Sequence, residues 1–234
     1  MGPNISLNKN DYSNTPNIKI LTQKASKKET VFVLDWDDTL MCTSFIFSRT
    51  QGLTNEEKNI INNLGKIVNI FLEECIKYGK IIIMTNSTEK WMKKTAENYL
   101  KIKKNLIEQI KIISTRDKFE KKRIESKQWK QITLEEILLK YGDKIENLIC
   151  GSDSERDIDV FKNISKKYKD INISTIKFKA KPSPLIMIKE IEYLNKKLNE
   201  IIGTNKNYYL IKEKQKTDDF NFSFGYLLDY IFPN

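Results

Sequence analysis

Five short apolar runs alternate with longer segments of helical periodicity, and this alternation constrains the fold of the chain more than any other feature. Runs that are apolar at nearly every position are typical of parallel strands covered by helices on both faces of a sheet. The sequence therefore predicts an α/β fold with a doubly wound parallel sheet of about five strands. The runs are residues 31–34, 81–84, 110–113, 148–150 and 173–178.

The segments between the runs carry the residues that begin and end helices. Ser and Thr side chains satisfy free backbone N–H groups at a helix start, and glycine tolerates the backbone turn at a helix end. Together with the runs, these signals indicate the strand–helix repeats of a Rossmann-like sheet. The predicted starts are Thr54 with Glu57, Ser87, Thr133 with Glu136, and Ser183 with Pro184; the predicted ends are Gly79, Gly142 and Gly203.

Composition divides the chain into three parts. Residues 1–29 are polar and rich in Asn and Lys, which predicts a flexible arm with one short strand near residues 18–21. Residues 30–205 hold all five apolar runs and form the predicted functional domain. Residues 206–234 contain several aromatic side chains and are expected to pack on that domain as a C-terminal tail.

Several classes of function are excluded by what the composition lacks. The chain has no histidine, which removes Ser-His-Asp and Cys-His hydrolases and histidine-ligated zinc sites. Its eight glycines form neither the dinucleotide-binding loop nor the P-loop. Three scattered cysteines, no apolar run of about 20 residues and no secretory signal predict a soluble intracellular protein, cytoplasmic with the nucleus left open.

The formal net charge of +10 is concentrated in one segment. Residues 90–130 contain 14 Lys and Arg against five Asp and Glu, which accounts for nearly all of the excess. Two interpretations stay open: lysines on solvated helix faces, or a basic rim that attracts an anionic partner such as a nucleic acid. Trp91 and Trp129 lie among these lysines, and packing between helices is favoured over stacking on bases.

Polar side chains follow the apolar runs at the points where the strands end. Asp35 and Asp37 follow the first run, Thr85 and Asn86 follow the second, and Asp153 follows the fourth. In a doubly wound fold the carboxyl ends of the strands share one edge, and ligands bind there. These residues therefore form the candidate functional site.

Two carboxylates separated by one residue can divide a phosphoryl transfer between them. Asp35 can attack phosphorus as a nucleophile, while Asp37 protonates the leaving oxygen and then removes a proton from water. Because two such acids repel each other, a cation is expected, and Asp153 can complete an oxygen site for Mg²⁺. Either Lys127 or Lys130 can neutralise the other side of the phosphoryl group.

In their order along the chain, these motifs resemble those of the haloacid dehalogenase (HAD) superfamily. The first, Asp35-Trp36-Asp37-Asp38-Thr39 after an apolar strand, is the most specific, and a second acid in it is typical of the phosphatases. The second is Thr85-Asn86, and the third is a lysine near residue 130. The fourth is Asp153 with Asp157, and it has Ser152 where glycine is frequent. The similarity covers about residues 30–180.

The resemblance implies a magnesium-dependent phosphatase with a role for each motif residue. Asp35 would carry an aspartyl-phosphate, and Asp37 would bind the metal through its backbone carbonyl. The resemblance implies Asp35 and Asp37 as catalytic residues, and Thr85, Asn86 and Lys130 as the residues that bind the phosphoryl group. It implies Asp35, Asp37 and Asp153 as the Mg²⁺ ligands. Asp157 would contact either a metal-bound water or the ligands themselves without binding the ion.

A narrower similarity favours Lys130 over Lys127 as the motif lysine. The segment Ser114-Thr115-Arg116-Asp117, followed by Gln128-Trp129-Lys130, resembles a group of HAD-like phosphatases of lower eukaryotes.

HAD enzymes differ in the insertions that cover the active site, and this chain has little room for one. Residues 41–53 suffice only for a short flap, predicted as a hairpin, so a capless site is expected. Such an open site suits a phosphate on a large substrate, either a phosphoprotein or a nucleic-acid end. The alternative is a non-catalytic HAD-fold module whose basic segment binds nucleic acid or another anionic surface.

Overall fold

The computed structural model of the protein describes residues 28–204 and 206–209. In this part of the chain, six parallel strands form one sheet in the order β3-β2-β1-β4-β5-β6. The doubly wound α/β fold that the apolar runs predict is therefore confirmed. The strands are β1 (Glu29–Leu34), β2 (Gly79–Thr85), β3 (Lys111–Ser114), β4 (Ile145–Ser152), β5 (Asn172–Lys177) and β6 (Asn207–Tyr209).

Helices cover both faces of the sheet, because alternate side chains of each strand point to opposite sides. Phe32 and Leu34 of β1 are buried in one apolar layer, and Val31 and Val33 are buried in the other. The helices are α1 (Thr43–Phe47), α2 (Asn55–Tyr78), α3 (Glu89–Asn98), α4 (Lys104–Gln109), α5 (Thr115–Phe119), α6 (Trp129–Tyr141), α7 (Glu155–Lys167) and α8 (Pro184–Ile201). The first layer contains α2 and α8, and the second contains α6 and α7.

The sixth strand falls in the segment that the sequence assigned to the C-terminal tail. β6 pairs in parallel with β5, with Asn207 opposite Thr175, and extends the sheet at its edge. The predicted arm up to residue 27, its short strand near residues 18–21, and the tail from residue 210 lie outside the described residues.

Two of the predicted helix starts are confirmed. The Thr54 hydroxyl accepts a hydrogen bond from the Glu57 N–H at 3.1 Å, and the Glu57 carboxylate accepts one from the Thr54 N–H at 3.0 Å. At the start of α8 the Ser183 hydroxyl accepts from the Ile186 N–H, and Pro184 occupies the first turn. These local side-chain bonds fix where α2 and α8 begin.

Two other predicted starts are wrong. α6 begins at Trp129, not at Thr133, and the Thr133 hydroxyl is buried inside the helix without a hydrogen-bond partner. The earlier start follows from tertiary packing, because Trp129 is buried and its indole N–H donates to the Ile124 carbonyl at 2.8 Å. The cap of α3 is Thr88, which leaves the hydroxyl of Ser87 free for another contact.

The predicted hairpin in the flap is also wrong, because this segment forms α1. Asp38, which has a left-handed backbone with φ of 54°, accepts hydrogen bonds from the backbone N–H of Ser44 at 2.8 Å and from the Ser44 hydroxyl. A carboxylate at the first turn of a helix satisfies free N–H groups and favours helix over strand. Within the described residues, the stretch between β1 and β2 therefore carries two helices and no cap domain.

No helix among the described residues is both long and apolar enough to pass through a bilayer. Cys42, Cys75 and Cys150 are all unpaired and buried.

Glu190 on α8 is a buried acid with one unpartnered oxygen. Its Oε1 accepts a hydrogen bond from the Lys179 N–H at 2.8 Å, while Oε2 has no hydrogen-bond partner. Burial raises the pKa of Glu190 to about 7, although the Lys179 N–H and the charges of Lys177 and Lys179 lower it. The folded state therefore favours the neutral form of this side chain.

We expect Glu190→Gln to reduce the pH dependence of stability. Between the ordinary pKa of 4.5 and the folded value of about 7, the folded state binds more protons than the unfolded state. The free energy of unfolding therefore falls as pH rises through this window, by about 3 kcal/mol. Glutamine keeps the acceptor for Lys179 but cannot ionise. Urea unfolding at pH 5, near the lower end of the window, and at pH 8, about a unit above its upper end, therefore measures most of the loss. An unchanged pH dependence would contradict the prediction.

Candidate active site

A cleft of about 220 Å³ opens at the carboxyl ends of β1 and β4. The sheet order reverses between these two strands, because β2 and β3 lie on one side and β5 and β6 on the other. Doubly wound folds bind ligands at this position. The lining residues are Asp35, Asp37, Asp38, Asn86, Ser126, Lys127, Lys130, Asp153, Ser154, Arg156 and Asp157.

Asp35, Lys130 and Asp157 form a buried ionic triad in this cleft. The Lys130 ammonium lies 2.6 Å from Asp35 Oδ2 and 2.6 Å from Asp157 Oδ2, and only 4% of the residue is exposed. Lys127 is exposed and pairs with Glu125 instead. The geometry therefore singles out Lys130, of the two candidate lysines, as the one that contacts Asp35.

Electrostatics in the triad follow from burial. Burial raises the pKa of Asp35 to about 6, although the charge of Lys130 lowers it. Burial by itself lowers the pKa of Lys130, but the carboxylates of Asp35 and Asp157 outweigh it and raise that pKa overall. Lys130 therefore stays a cation in a site that disfavours further negative charge.

Ser152, the residue at the position where glycine is frequent in the superfamily, joins the same triad. Its hydroxyl lies 2.7 Å from Asp157 Oδ2 and 3.3 Å from Asp35 Oδ2, and its oxygen accepts from the Ser154 N–H. Asp157 is thus held between Lys130 and Ser152, and it orients the lysine that contacts Asp35.

Asp153 enters the cleft from the end of β4. Its backbone N–H donates to the Thr39 hydroxyl at 3.0 Å, which joins the loop after β1 to the loop after β4. Burial raises the pKa of Asp153 to about 7, and the negative charge of Asp35 adds to the effect. Two carboxylates that oppose each other's ionisation in one cleft fit a divalent cation with oxygen ligands.

The predicted magnesium ligands are two carboxylates, from Asp35 and Asp153, and the backbone carbonyl of Asp37. Among the described residues, no three or more Cys, Asp or Glu side chains cluster in a way that could hold a metal. The predicted set contains only two such side chains and does not require a cluster of that kind.

The Asp37 carboxylate is held by four side-chain donors. Thr43 and Trp91 donate to Oδ1 at 2.6 and 3.0 Å, and Ser87 and Thr85 donate to Oδ2 at 2.6 and 3.3 Å. These donors come from α1, α3 and the end of β2. Asp37 still lines the cleft that contains Asp35.

Thr85 and Asn86, the predicted phosphate-binding pair, lie at the end of β2. Thr85 is fully buried, and its hydroxyl contacts Asp37 and accepts from the Ser87 N–H at 3.0 Å. Asn86 lines the cleft, and its side-chain oxygen accepts from the Thr115 hydroxyl. Of the two, Asn86 is the residue on the cleft surface.

Sequence reasoning missed the residues that hold Asp37. Trp91, expected to pack between helices, places its indole N–H on the acid, and Ser87, expected to cap a helix, does so with its hydroxyl. Ser87 lies only two residues from Thr85, so the end of β2 was a local signal for it. Thr43 lies six residues after Asp37, and Trp91 lies six residues after Thr85, but no motif spacing pointed to either of them.

The basic segment of residues 90–130 is distributed over several elements of the fold. It extends over α3, α4, β3, α5 and the turns that lead to α6. Six of its cations are in ion pairs: Lys93, Lys103, Arg116, Lys118, Lys127 and Lys130. At the cleft itself, the exposed cations are Lys127 and Arg156.

Comparison with known proteins identifies a family for this chain. Residues 30–149 match the family described as NLI interacting factor-like phosphatase, and the match includes Asp35, Asp37 and Lys130. None of the curated protein sequences matches this chain significantly. The HAD domain of the effector protein Lem4 from Legionella pneumophila is a structural neighbour with 13% sequence identity and a TM-score of 0.43, over 75% of this chain and 97% of that domain.

The family match covers more than half of the 234 residues. It begins with β1 and runs into β4, and it leaves only Asp153 and Asp157 of the predicted site outside. The chain therefore belongs to the NLI interacting factor-like phosphatases, a family of the HAD superfamily.

Proposed function

We propose that the protein is a Mg²⁺-dependent phosphomonoester hydrolase that forms an aspartyl-phosphate on Asp35. The observation that carries the proposal is the position of Asp35. It lies at the end of the central strand β1, with Lys130 at 2.6 Å and with Asp37 and Asp153 in the same cleft. The family assignment supports a phosphatase.

The surroundings of Asp35 suit a nucleophile. Its Oδ1 accepts from the Trp36 N–H at 2.7 Å and its Oδ2 contacts Lys130, so the orientation of the carboxylate is fixed. An Asp35 oxygen forms a bond to phosphorus while the bond from phosphorus to the leaving oxygen breaks. Lys130 neutralises charge on the phosphoryl oxygens, and Asn86 on the cleft surface is placed to donate to them.

Asp37 acts in both half-reactions. In the first it gives a proton to the leaving oxygen, and in the second it takes a proton from the water whose oxygen attacks phosphorus. The second attack breaks the bond between Asp35 and phosphorus, which releases inorganic phosphate and restores both acids. Thr85 contributes by its hydrogen bond to Asp37.

Asp35 and Asp153 would hold Mg²⁺ through their carboxylates and Asp37 would hold it through its backbone carbonyl. When bound, the ion would neutralise the acids and the phosphoryl oxygens. Asp157 supports the site by fixing Lys130 at 2.6 Å.

The size of the cleft indicates a substrate whose bulk stays outside it. Its volume of about 220 Å³ is below the roughly 300–1,000 Å³ of sites that enclose small molecules. No cap domain is present among the described residues, and the exposed cations Lys127 and Arg156 line the cleft. A phosphate displayed on a macromolecule, either a phosphoprotein or a nucleic-acid end, fits this arrangement.

Hydrolysis assays on the full chain test the proposal. With p-nitrophenyl phosphate we expect turnover that EDTA abolishes and added Mg²⁺ restores. The two substrate classes are separated by assays of a phosphopeptide and of a 5′-phosphorylated oligonucleotide between about 50 and 200 mM salt. Contacts to the phosphate backbone of a nucleic acid weaken steeply as the salt concentration rises. Activity that is indifferent to EDTA contradicts the metal dependence. Nucleic-acid binding without hydrolysis of any substrate favours the non-catalytic alternative.

A further inference from the structure

Trp91 connects the proposed general acid to the surface of the protein. It lies near the start of α3, half-buried, and its indole N–H donates to Asp37 Oδ1 at 3.0 Å. An indole nitrogen is a donor only, so this contact requires an acceptor oxygen at that position. The contact therefore defines where Oδ1 of Asp37 lies.

The flap reinforces this contact from the other side. The ring of Phe47 stacks on the ring of Trp91 with centroids 5.3 Å apart and planes 16° from parallel. The same short helix, α1, carries Thr43, whose hydroxyl donates to Asp37 Oδ1 at 2.6 Å. Helix α1 therefore contacts Asp37 directly through Thr43, and its Phe47 packs on the Trp91 indole that also contacts Asp37.

Phe47 is a large apolar side chain at the surface of the protein. It is 66% exposed, although it stacks on a residue that contacts the active-site acid. The stack therefore connects an exposed residue of α1 with the indole that donates to Asp37.

We propose that Trp91 is a positioning residue for Asp37, and that the stack with Phe47 holds the indole in place. Through its N–H, Trp91 fixes the orientation in which Asp37 delivers a proton to the leaving oxygen. The inference rests on the proposed role of Asp37 as general acid. It predicts that the aromatic pair matters most for substrates whose leaving group is a strong base.

The test is the dependence of Trp91→Phe on the leaving group. Phenylalanine keeps an aromatic ring against Phe47 but removes the N–H. p-Nitrophenolate leaves with little help from an acid, whereas the alkoxide of a phosphoserine peptide needs a proton. We expect kcat/KM to fall about 10- to 100-fold for the phosphoserine peptide and less than about 3-fold for p-nitrophenyl phosphate.

The readout is kcat/KM for the phosphoserine peptide divided by kcat/KM for p-nitrophenyl phosphate. This quantity is appropriate because kcat/KM reports the steps up to departure of the leaving group. Hydrolysis of the shared aspartyl-phosphate follows that step and does not affect it. Asp37→Asn removes the acid completely, so it gives the largest difference between the two substrates that loss of the acid can cause. Phe47→Leu keeps the N–H but removes the stack, and we expect a smaller loss with the same preference.

Trp129→Phe is the matched control for the loss of an indole donor. Its N–H donates to the Ile124 carbonyl and not to Asp37, so we expect any loss in this variant to be the same for both substrates. Equal losses for both substrates in Trp91→Phe, or no loss for either, overturn the inference. If the unmodified protein hydrolyses neither compound, the proposed function is refuted, and the inference about Trp91 is refuted with it. Thermal unfolding of each variant verifies that it is folded.

Discussion

Asp35→Asn is expected to lower turnover of p-nitrophenyl phosphate on the order of 10⁴-fold or more, because an amide cannot act as the nucleophile. The substitution preserves the size of the side chain and an acceptor for the Trp36 N–H. It also removes one of the two buried charges that Lys130 neutralises. The variant should therefore remain folded, and the loss should appear in kcat.

Asp159→Asn is the matched control for that experiment. Asp159 is an exposed acid on α7, two residues from Asp157, and it does not line the cleft. We expect its variant to keep the activity of the unmodified protein. Steady-state assays of both variants with Mg²⁺, together with acid quenching to detect labelled phosphoprotein, measure the difference. Near-normal turnover by Asp35→Asn would refute the assignment of the nucleophile.

Lys130→Met is expected to reduce the free energy of unfolding by about 3–5 kcal/mol. Methionine has a similar length but no charge, so Asp35 and Asp157 would remain buried without the cation between them. Removing one partner of a buried ionic group is strongly destabilising, since the remaining charges lose their compensation. Urea unfolding in EDTA at neutral pH measures this loss without a contribution from bound metal.

Asp157→Asn added to Lys130→Met provides the control for the mechanism of that loss. The double variant has one fewer uncompensated charge, and asparagine can still accept the hydrogen bond from Ser152. We expect it to be more stable than Lys130→Met alone. If the second substitution lowers stability further by the full amount that it costs in the unmodified protein, the two residues do not interact and the triad is not a unit.

The fold could be predicted from sequence because its signals are local. Each apolar run marks a strand by its own composition, and Thr54 and Ser183 bond to backbone groups three residues away. The helix start predicted at Thr133 is wrong for a physical reason. The spacing from Thr133 to Glu136 matches a capping box, but burial of Trp129 makes the helix begin four residues earlier. The capping signal is worth about 1 kcal/mol and is weaker than burial of an indole.

Only part of the candidate site could be predicted in the same way. Strand ends converge by topology, so Asp35, Asp37 and Asp153 could be grouped without knowledge of any contact. The choice between Lys127 and Lys130 could not be derived from charge, since both are lysines in the same turn region; burial distinguishes them. The contact of Trp91 with Asp37 joins residues 54 positions apart and leaves no periodicity to detect.

The attachment of α1 has a consequence for protein engineering. Asp38 accepts a hydrogen bond from the Ser44 N–H, and Asp37 accepts one from the Thr43 hydroxyl. Both acids are therefore bonded to the first turn of α1. The connection from residue 48 to residue 52, in contrast, is exposed. A domain grafted into that connection should therefore leave both acids attached to α1, whereas the same graft before Thr43 should separate the acids from this helix.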